Sequence, residues 1–501
     1  MTGSVRALAL AVEGTERQGE LLAVNLQWVQ TEYFGLLEDM LGPMLAAAPS
    51  AIENPSRFAN FAASRPVIVR DFLKGLPRTF EVMAAFWREH GPVVRAHCLQ
   101  YRGVKAAYGG DLFPLHELRT VPQAAVFADS IIVPDPVDYI GRGLVQLVVD
   151  TETIRLFFRH ALAALALKSL AFAESEFPIL VVAPGNPSDI GLDALRPLMM
   201  GDALYHLNSA IGSTFESIDA AKEWLRTMPS ATELERRSIN PDRLLADAGV
   251  TGGLEGRFRG WTEYRNETIR EGLLGAALPD AIVEDALGRM GQATAAIERG
   301  RTYGAYPLTD APRSWQYLKW KFEYDAHRYQ RPESLGLEAR VANRIVQSAE
   351  GSSRILGSLG VEALVALRQK GLLTQIREEL RHDAAEMYDS DESRREELER
   401  QMMNRFQKNL CDAEKRLRGL GARRRKYLRF TVGSAVGNTA LAIAGAATGN
   451  YWLTVAAAGA GVVGIPGWTE VVNRGRKLVA EGRRLQRSPI GFLVAQSAKR
   501  Q

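Results

Sequence analysis

Cysteine is nearly missing from this chain. Only Cys98 and Cys411 occur in 501 residues, far apart and without a CxxC pairing, which excludes a disulfide framework and a cysteine-based zinc site. The motifs of common chemistries are also missing: there is no G-x-x-x-x-G-K-[ST], H-E-x-x-H or G-x-S-x-G, so P-loop, zincin and nucleophile-elbow mechanisms have no sequence support. The opening residues, MTGSVRALALAVEGTERQGE, reach Glu13 and Glu16 after a brief apolar run. That run is too short for a signal peptide, so a cytoplasmic body is expected.

The most telling absence is local. From Phe430 to Trp468 there is no Asp, Glu, Lys, Arg or His. Basic residues fence this stretch: Arg423, Arg424, Arg425, Lys426 and Arg429 before it, and Arg474, Arg476, Lys477, Arg483, Arg484 and Arg487 after it. Gly449-Asn450 near its middle suggests two helices, 430–448 and 451–465, joined by a tight turn. About nineteen residues at 1.5 Å each span roughly 28 Å, close to the hydrocarbon thickness of a bilayer. Trp452 at the turn and Trp468 at the exit suit interfacial anchors, and cations at both ends keep both termini on the cytoplasmic side. Gly433 with Gly437, and Gly445 with Gly449, have the spacing that lets helix backbones approach closely in lipid. The hydrophobic gain of the first helix is only about −2 kcal/mol, so insertion is expected as a packed pair or a homo-oligomer. The competing reading is an Ala/Gly hairpin buried in a soluble scaffold.

The charge is unevenly divided. Residues 415–501 hold sixteen Lys or Arg against Glu470 and Glu481, so a net charge of +4 leaves the remainder acidic by about ten. A basic tail on an acidic body points to anionic membrane lipids as partner and disfavours nucleic acid over the whole surface. From Val471 to Arg487, Val471, Leu478 and Leu485 recur every seven residues with cations between them, including Arg474, Lys477 and Arg484, as in an interfacial helix ended by Pro489.

What is abundant is helical periodicity, and the chain reads as mainly α, with a small α/β unit in the N-terminal half and a C-terminal uncharged helical hairpin. Apolar positions at helical spacing run over 18–48, over 72–90 with a break at Pro77, over 280–299, and over 364–387 with a break at Gly371. A loop-rich interval is expected over the glycines from Gly249 to Gly260. Four β-branched runs read as strands: 67–69, 130–133, 145–149 and 178–182, with a crossover helix over 154–172. The turn formers of 184–189 suggest a boundary, giving segments 1–185 (helical with the α/β unit), 186–388 (helical), 389–429 (a long amphipathic helix), 430–468 (the hairpin) and 469–501 (the basic tail).

Three patterns invite a chemical reading. Gly459-Ala-Gly461-Val-Val-Gly464 satisfies G-x-G-x-x-G, but no room remains for further βαβ units and Pro466 interrupts the receiving helix, so no cofactor is expected. Asp111, His116, Glu117, Asp129, Asp135 and Asp138 surround the strand at 130–133 and form the acidic cluster of a metal-dependent hydrolase alternative. Their spacing matches no ligand set, and Asp135 between two prolines suits a rigid turn. Trp315, Tyr317, Trp320, Phe322 and Tyr324 are interleaved with lysines, and core packing explains them better than base stacking. The expectation is a non-enzymatic protein at the inner face of the membrane: a sensing or binding body with a membrane-inserting tail, possessing no catalytic or metal residues, of the kind a membrane-perturbing effector would need.

Overall fold

The computed structural model describes residues 19–47, 55–109, 120–138, 151–185, 192–245, 252–268, 277–309, 312–329, 343, 359–384, 488–500 and scattered positions between 394 and 484. In chain order the elements are α1 (Leu26–Ala47), α2 (Pro55–Ala63), α3 (Pro66–Gln100), β1 (Lys105–Tyr108), α4 (Thr120–Ala124), β2 (Ser130–Pro134), α5 (Thr151–Ala166), α6 (Lys168–Ala171), β3 (Leu180–Ala183), α7 (Leu192–Ile211), α8 (Ile218–Arg226), α9 (Ala231–Arg237), α10 (Gly253–Thr268), α11 (Leu278–Tyr303), β4 (Tyr306–Leu308), α12 (Pro312–Tyr329), α13 (Val361–Gln369), α14 (Leu372–Ala384) and α15 (Pro489–Arg500). The chain is therefore mainly α with a small sheet in its first half. It forms two compact units, residues 1–350 with 387–389, and residues 351–386 with 390–501.

In the first unit the four strands are all parallel, in the order β3-β2-β1-β4. β1, β2 and β3 are buried along their whole length, as parallel strands covered by helices must be. The runs at 130–133 and 178–182 are β2 and β3, and α5 with α6 makes the crossover between them. The fourth strand, Tyr306–Leu308, lies beyond the boundary expected from the turn formers of 184–189. Both outer strands are closed by a buried amide side chain. Gln30 of α1 donates to the Val182 carbonyl (3.0 Å) and accepts from the Val182 N–H (2.8 Å). Asn343 accepts from the Thr309 N–H (2.6 Å) and donates to the Pro307 carbonyl (2.8 Å). Each amide acts as one rung of a further strand, which removes the pairing template an open edge presents.

Val67-Ile68-Val69, read above as a strand, is helical, and so is the expected break at Pro77. α3 runs unbroken through Pro77 and Pro92. Pro66 in the first turn needs no hydrogen-bond partner for its nitrogen, and Leu76, Met83, Phe86, Trp87, Val94 and Cys98 are buried along the helix. Burial of such side chains, about 1.5–3 kcal/mol each, offsets the bonds lost at the two prolines. The glycine-rich interval expected to be loop holds α10, anchored by buried Leu254 and Trp261. α11 crosses the unit and packs against α7, α12, β1 and β4. At Gly109 a Cβ would stand 2.5 Å from that of Ala296 on α11, so only glycine allows the approach of helix and strand. Trp315, Tyr317, Leu318, Trp320 and Tyr324 of α12 are buried, and they are core.

In the second unit, α13 and α14 meet at Gly371, whose φ of 65° is left-handed, so the break expected there occurs. Leu364, Leu367, Leu373 and Ile376 are buried, as are Phe492, Leu493 and Val494 of α15. Leu398 and Phe406 are also buried, and they lie on the amphipathic pattern read for 389–429. Among the described residues, no helix is long and apolar enough to cross a membrane. The strand expected at 145–149 and the hairpin at 430–468 lie outside the described residues.

Candidate functional site

Open parallel sheets receive ligands at the carboxyl ends of their strands, above all where the strand order reverses. Here β1 has β2 on one side and β4 on the other, so the reversal lies between Tyr108-Gly109 and Leu308-Thr309. Gly109 N–H donates to the Leu308 carbonyl at 2.9 Å, which ties these two ends together. Arg299 of α11 is buried and donates to the Tyr108 carbonyl (2.6 Å) and the Gly185 carbonyl (2.8 Å). One guanidinium thus bridges the ends of β1 and β3 on either side of β2.

Asp135 stands at the end of β2 and is fully buried. Its backbone N–H donates to Ala183 at 2.7 Å. One carboxylate oxygen, Oδ1, accepts from the Tyr33 hydroxyl (3.0 Å) and the Val137 N–H (2.9 Å). The other, Oδ2, accepts from Trp87 Nε1 (2.7 Å) and the Asp138 N–H (3.1 Å). Asp138 in turn accepts from the Gly185 N–H at 2.9 Å. Burial and the neighbouring Asp138 push the Asp135 carboxyl up to about 7, against the pull of its donors. Burial and the Asp135 charge raise the Tyr33 hydroxyl well above its ordinary value. With four protein donors on two oxygens, Asp135 pins α1, α3 and the turn after β2 to one point. All four donors to its oxygens are groups of the chain itself.

Of the described members of the acidic cluster, Asp135 and Asp138 lie together and Asp129 stands apart. Asp129 lies at the other end of β2, where it accepts from the Val104 N–H at 2.8 Å. About six residues of extended chain, roughly 20 Å, separate it from Asp135. Asp111, His116 and Glu117 lie outside the described residues. Among the described residues no group of three or more His, Cys, Asp or Glu could hold a metal ion.

Two buried polar centres escaped the sequence reading. Asp285 of α11 accepts from Trp261 Nε1 (3.2 Å) and the Tyr317 hydroxyl (2.7 Å), with Arg289 Nε at 3.6 Å. Burial raises its carboxyl, while Arg289 opposes the rise. His206 of α7 is fully buried; its Nε2 donates to the Arg243 carbonyl (2.8 Å), so Nδ1 accepts from the Tyr324 hydroxyl (3.0 Å). Burial lowers its pKa to about 3, so the ring is neutral at physiological pH. Asp202 meets Lys321 (3.0 Å) and Arg328 (3.1 Å) nearby. The only foresight available for these centres was a helix carrying aromatic and charged residues together.

Of the residues expected to meet lipid, Arg484 is described and is an exposed helical residue. Arg423, Arg424, Arg425, Lys426, Arg429, Trp452, Trp468, Arg474 and Lys477 lie outside the described residues, as do the packing glycines Gly433, Gly437, Gly445 and Gly449. Cys98 is buried, and burial pushes its thiol up to about 12, which makes it inert; Cys411 is exposed. No protein-family model, curated protein or solved structure matches the chain.

Proposed function

We propose that this is a membrane-associated, non-enzymatic protein in which a sheet-bearing body recognises a partner or small ligand and a C-terminal segment enters the bilayer. One observation carries the reading: Phe430 to Trp468 holds no ionisable side chain and is bracketed by cations on both sides. Moving such a segment into hydrocarbon costs no charge burial, while flanking arginines gain from anionic headgroups at about 1 kcal/mol each. A recognition role is supported by what the buried polar groups hold: the Asp135 carboxylate ties α1 and α3 to the end of β2, and Arg299 bridges the ends of β1 and β3.

Flotation with vesicles containing anionic phospholipid tests the tail. The full chain is expected to float, and a chain ending at Gly421 to float less. A full-length variant with Ala442→Asp and Ala457→Asp places charges within the segment and is expected to resist extraction less well than the parent. Equal behaviour of all three forms refutes the reading and leaves the hairpin as part of a soluble core.

A further inference from the structure

We infer that the outer face formed by α2 and the start of α3 is a second membrane contact, a docking surface for a bilayer bearing anionic phospholipid. Helix α2 buries Phe58, Ala59, Ala62 and Ala63 and packs against α5. Its remaining face, continued by the first turns of α3, exposes Arg57, Phe61, Arg65, Val67, Arg70, Lys74 and Arg78. Asp71 is the one exposed acid among the described residues 57–78. It lies 3.6 Å from Arg70, both side chains being more than 60% exposed, a pair too well hydrated to cancel the field of its neighbours.

Two features favour lipid over other anionic partners. Large apolar side chains stand in water beside the cations, Phe61 at 46% and Val67 at 60% exposure. The same turns carry a groove of about 540 Å³ lined by aliphatic Ala63, Pro66, Val69 and Leu73 together with Arg70 and Lys74. Aliphatic side chains beside cations match acyl chains below phosphate headgroups. A surface for single-stranded nucleic acid uses open aromatic faces for stacking, whereas one face of Phe61, the large exposed aromatic of this surface, carries the Arg65 guanidinium, 4.8 Å from the ring centre. The body of the chain is acidic as a whole, so this local excess of cations opposes the general charge and orients the body toward an anionic plane. The inference is independent of the tail: it concerns α2 and α3 alone.

The test uses the full-length chain with Cys411→Ser and Val67→Cys, labelled at position 67 with a polarity-sensitive fluorophore; Cys98 is buried and unreactive. A probe at Ile239, exposed on another surface, serves as control. Vesicles of phosphatidylcholine with about a third phosphatidylglycerol are expected to blue-shift the probe at 67 and leave that at 239 unchanged, and pure phosphatidylcholine to shift neither. Neutralising Arg65, Arg70 and Lys74 to Gln is expected to lower the partition read at position 67 about a hundredfold. These positions are exposed, and coincident thermal melts establish that the fold is kept. Introducing Ala442→Asp and Ala457→Asp separates the two contacts. A probe at 67 that still responds in that variant supports the α2–α3 surface whatever becomes of the tail. Flotation with a silent probe at 67 overturns the surface and leaves the tail reading standing. A response to single-stranded oligonucleotide but not to anionic vesicles overturns it in favour of nucleic acid.

Discussion

Asp135 and Asp285 are both buried carboxylates held by a tryptophan indole and a tyrosine hydroxyl, one at the carboxyl end of an inner strand of the sheet and the other in the helical region. They differ in what completes the shell. Asp285 has a cation, Arg289, on its own helix one turn away, which opposes the upward push of burial on its carboxyl. Asp135 has two backbone N–H groups and a second acid, Asp138, so its charge is solvated by dipoles but opposed by a neighbour. The same two side-chain donors thus make an ion-pair node in one place and a proton-sensitive node in the other. Burial raises both carboxyls, and the charge nearest each acid works against that push at Asp285 and with it at Asp135.

The largest effect should come from removing the carboxylate beside Arg289. Asp285→Asn leaves the Arg289 cation in a buried setting without its carboxylate and is expected to cost about 3–5 kcal/mol in denaturant unfolding. At pH 7 the corresponding Asp135→Asn is expected to cost less, since the lost donor contacts are partly offset by relief of repulsion from Asp138. Equal costs would mean that Arg289 contributes nothing special.

The pH dependence sharpens the same contrast. The Asp135 carboxyl is raised from an unfolded value of about 3.9 to about 7 in the folded protein. Its contribution is therefore fully present below pH 4 and is lost as pH rises through 7. The stability difference between parent and Asp135→Asn is expected to fall over that window by at most on the order of 4 kcal/mol. A flat difference from pH 4 to pH 8 would show that Asp135 titrates like an ordinary acid.

Smaller effects follow at the donors and at the sheet edge. Trp87→Phe removes the 2.7 Å bond to Asp135 and is expected to cost about 1.5–3 kcal/mol, more than Trp261→Phe, whose bond is 3.2 Å. Gln30→Ala leaves the N–H and carbonyl of Val182 unpaired on the outer strand, for about 1–3 kcal/mol. Hydrogen exchange at Val182 should accelerate in that variant, and unchanged exchange would show that water replaces the amide without loss.

Two of the four strands were legible because Ile131, Ile132, Val133, Val181 and Val182 are β-branched and bounded by turn formers. β1 was not, since Lys105-Ala106-Ala107-Tyr108 has weak strand propensity and is held by the neighbours on each side. β4 has three residues with a central proline, tolerable because that strand is at the edge. Val67 to Val69 shows the reverse error: local β preference gave way to the amphipathic pattern of a long helix. The candidate site was partly legible. Asp135 stood out by its prolines, but Tyr33, Trp87 and Arg299 did not, because nothing near them in the chain suggests a shared partner.

The sequence by itself determined the mainly helical class, the break at Gly371, the burial of the α12 aromatics and the division of charge between an acidic body and a basic tail. Periodicity and charge are local properties, and each can be read within a dozen residues. Only the tertiary structure decided the strand order, the sealing of both sheet edges by Gln30 and Asn343, and the enclosure of Asp135. Those depend on groups separated by as many as 200 positions, as between Ala106 and Tyr306 in the pairing of β1 with β4. Only the packed chain brings such groups within reach of one another, and their hydrogen bonds gain strength there because water is excluded.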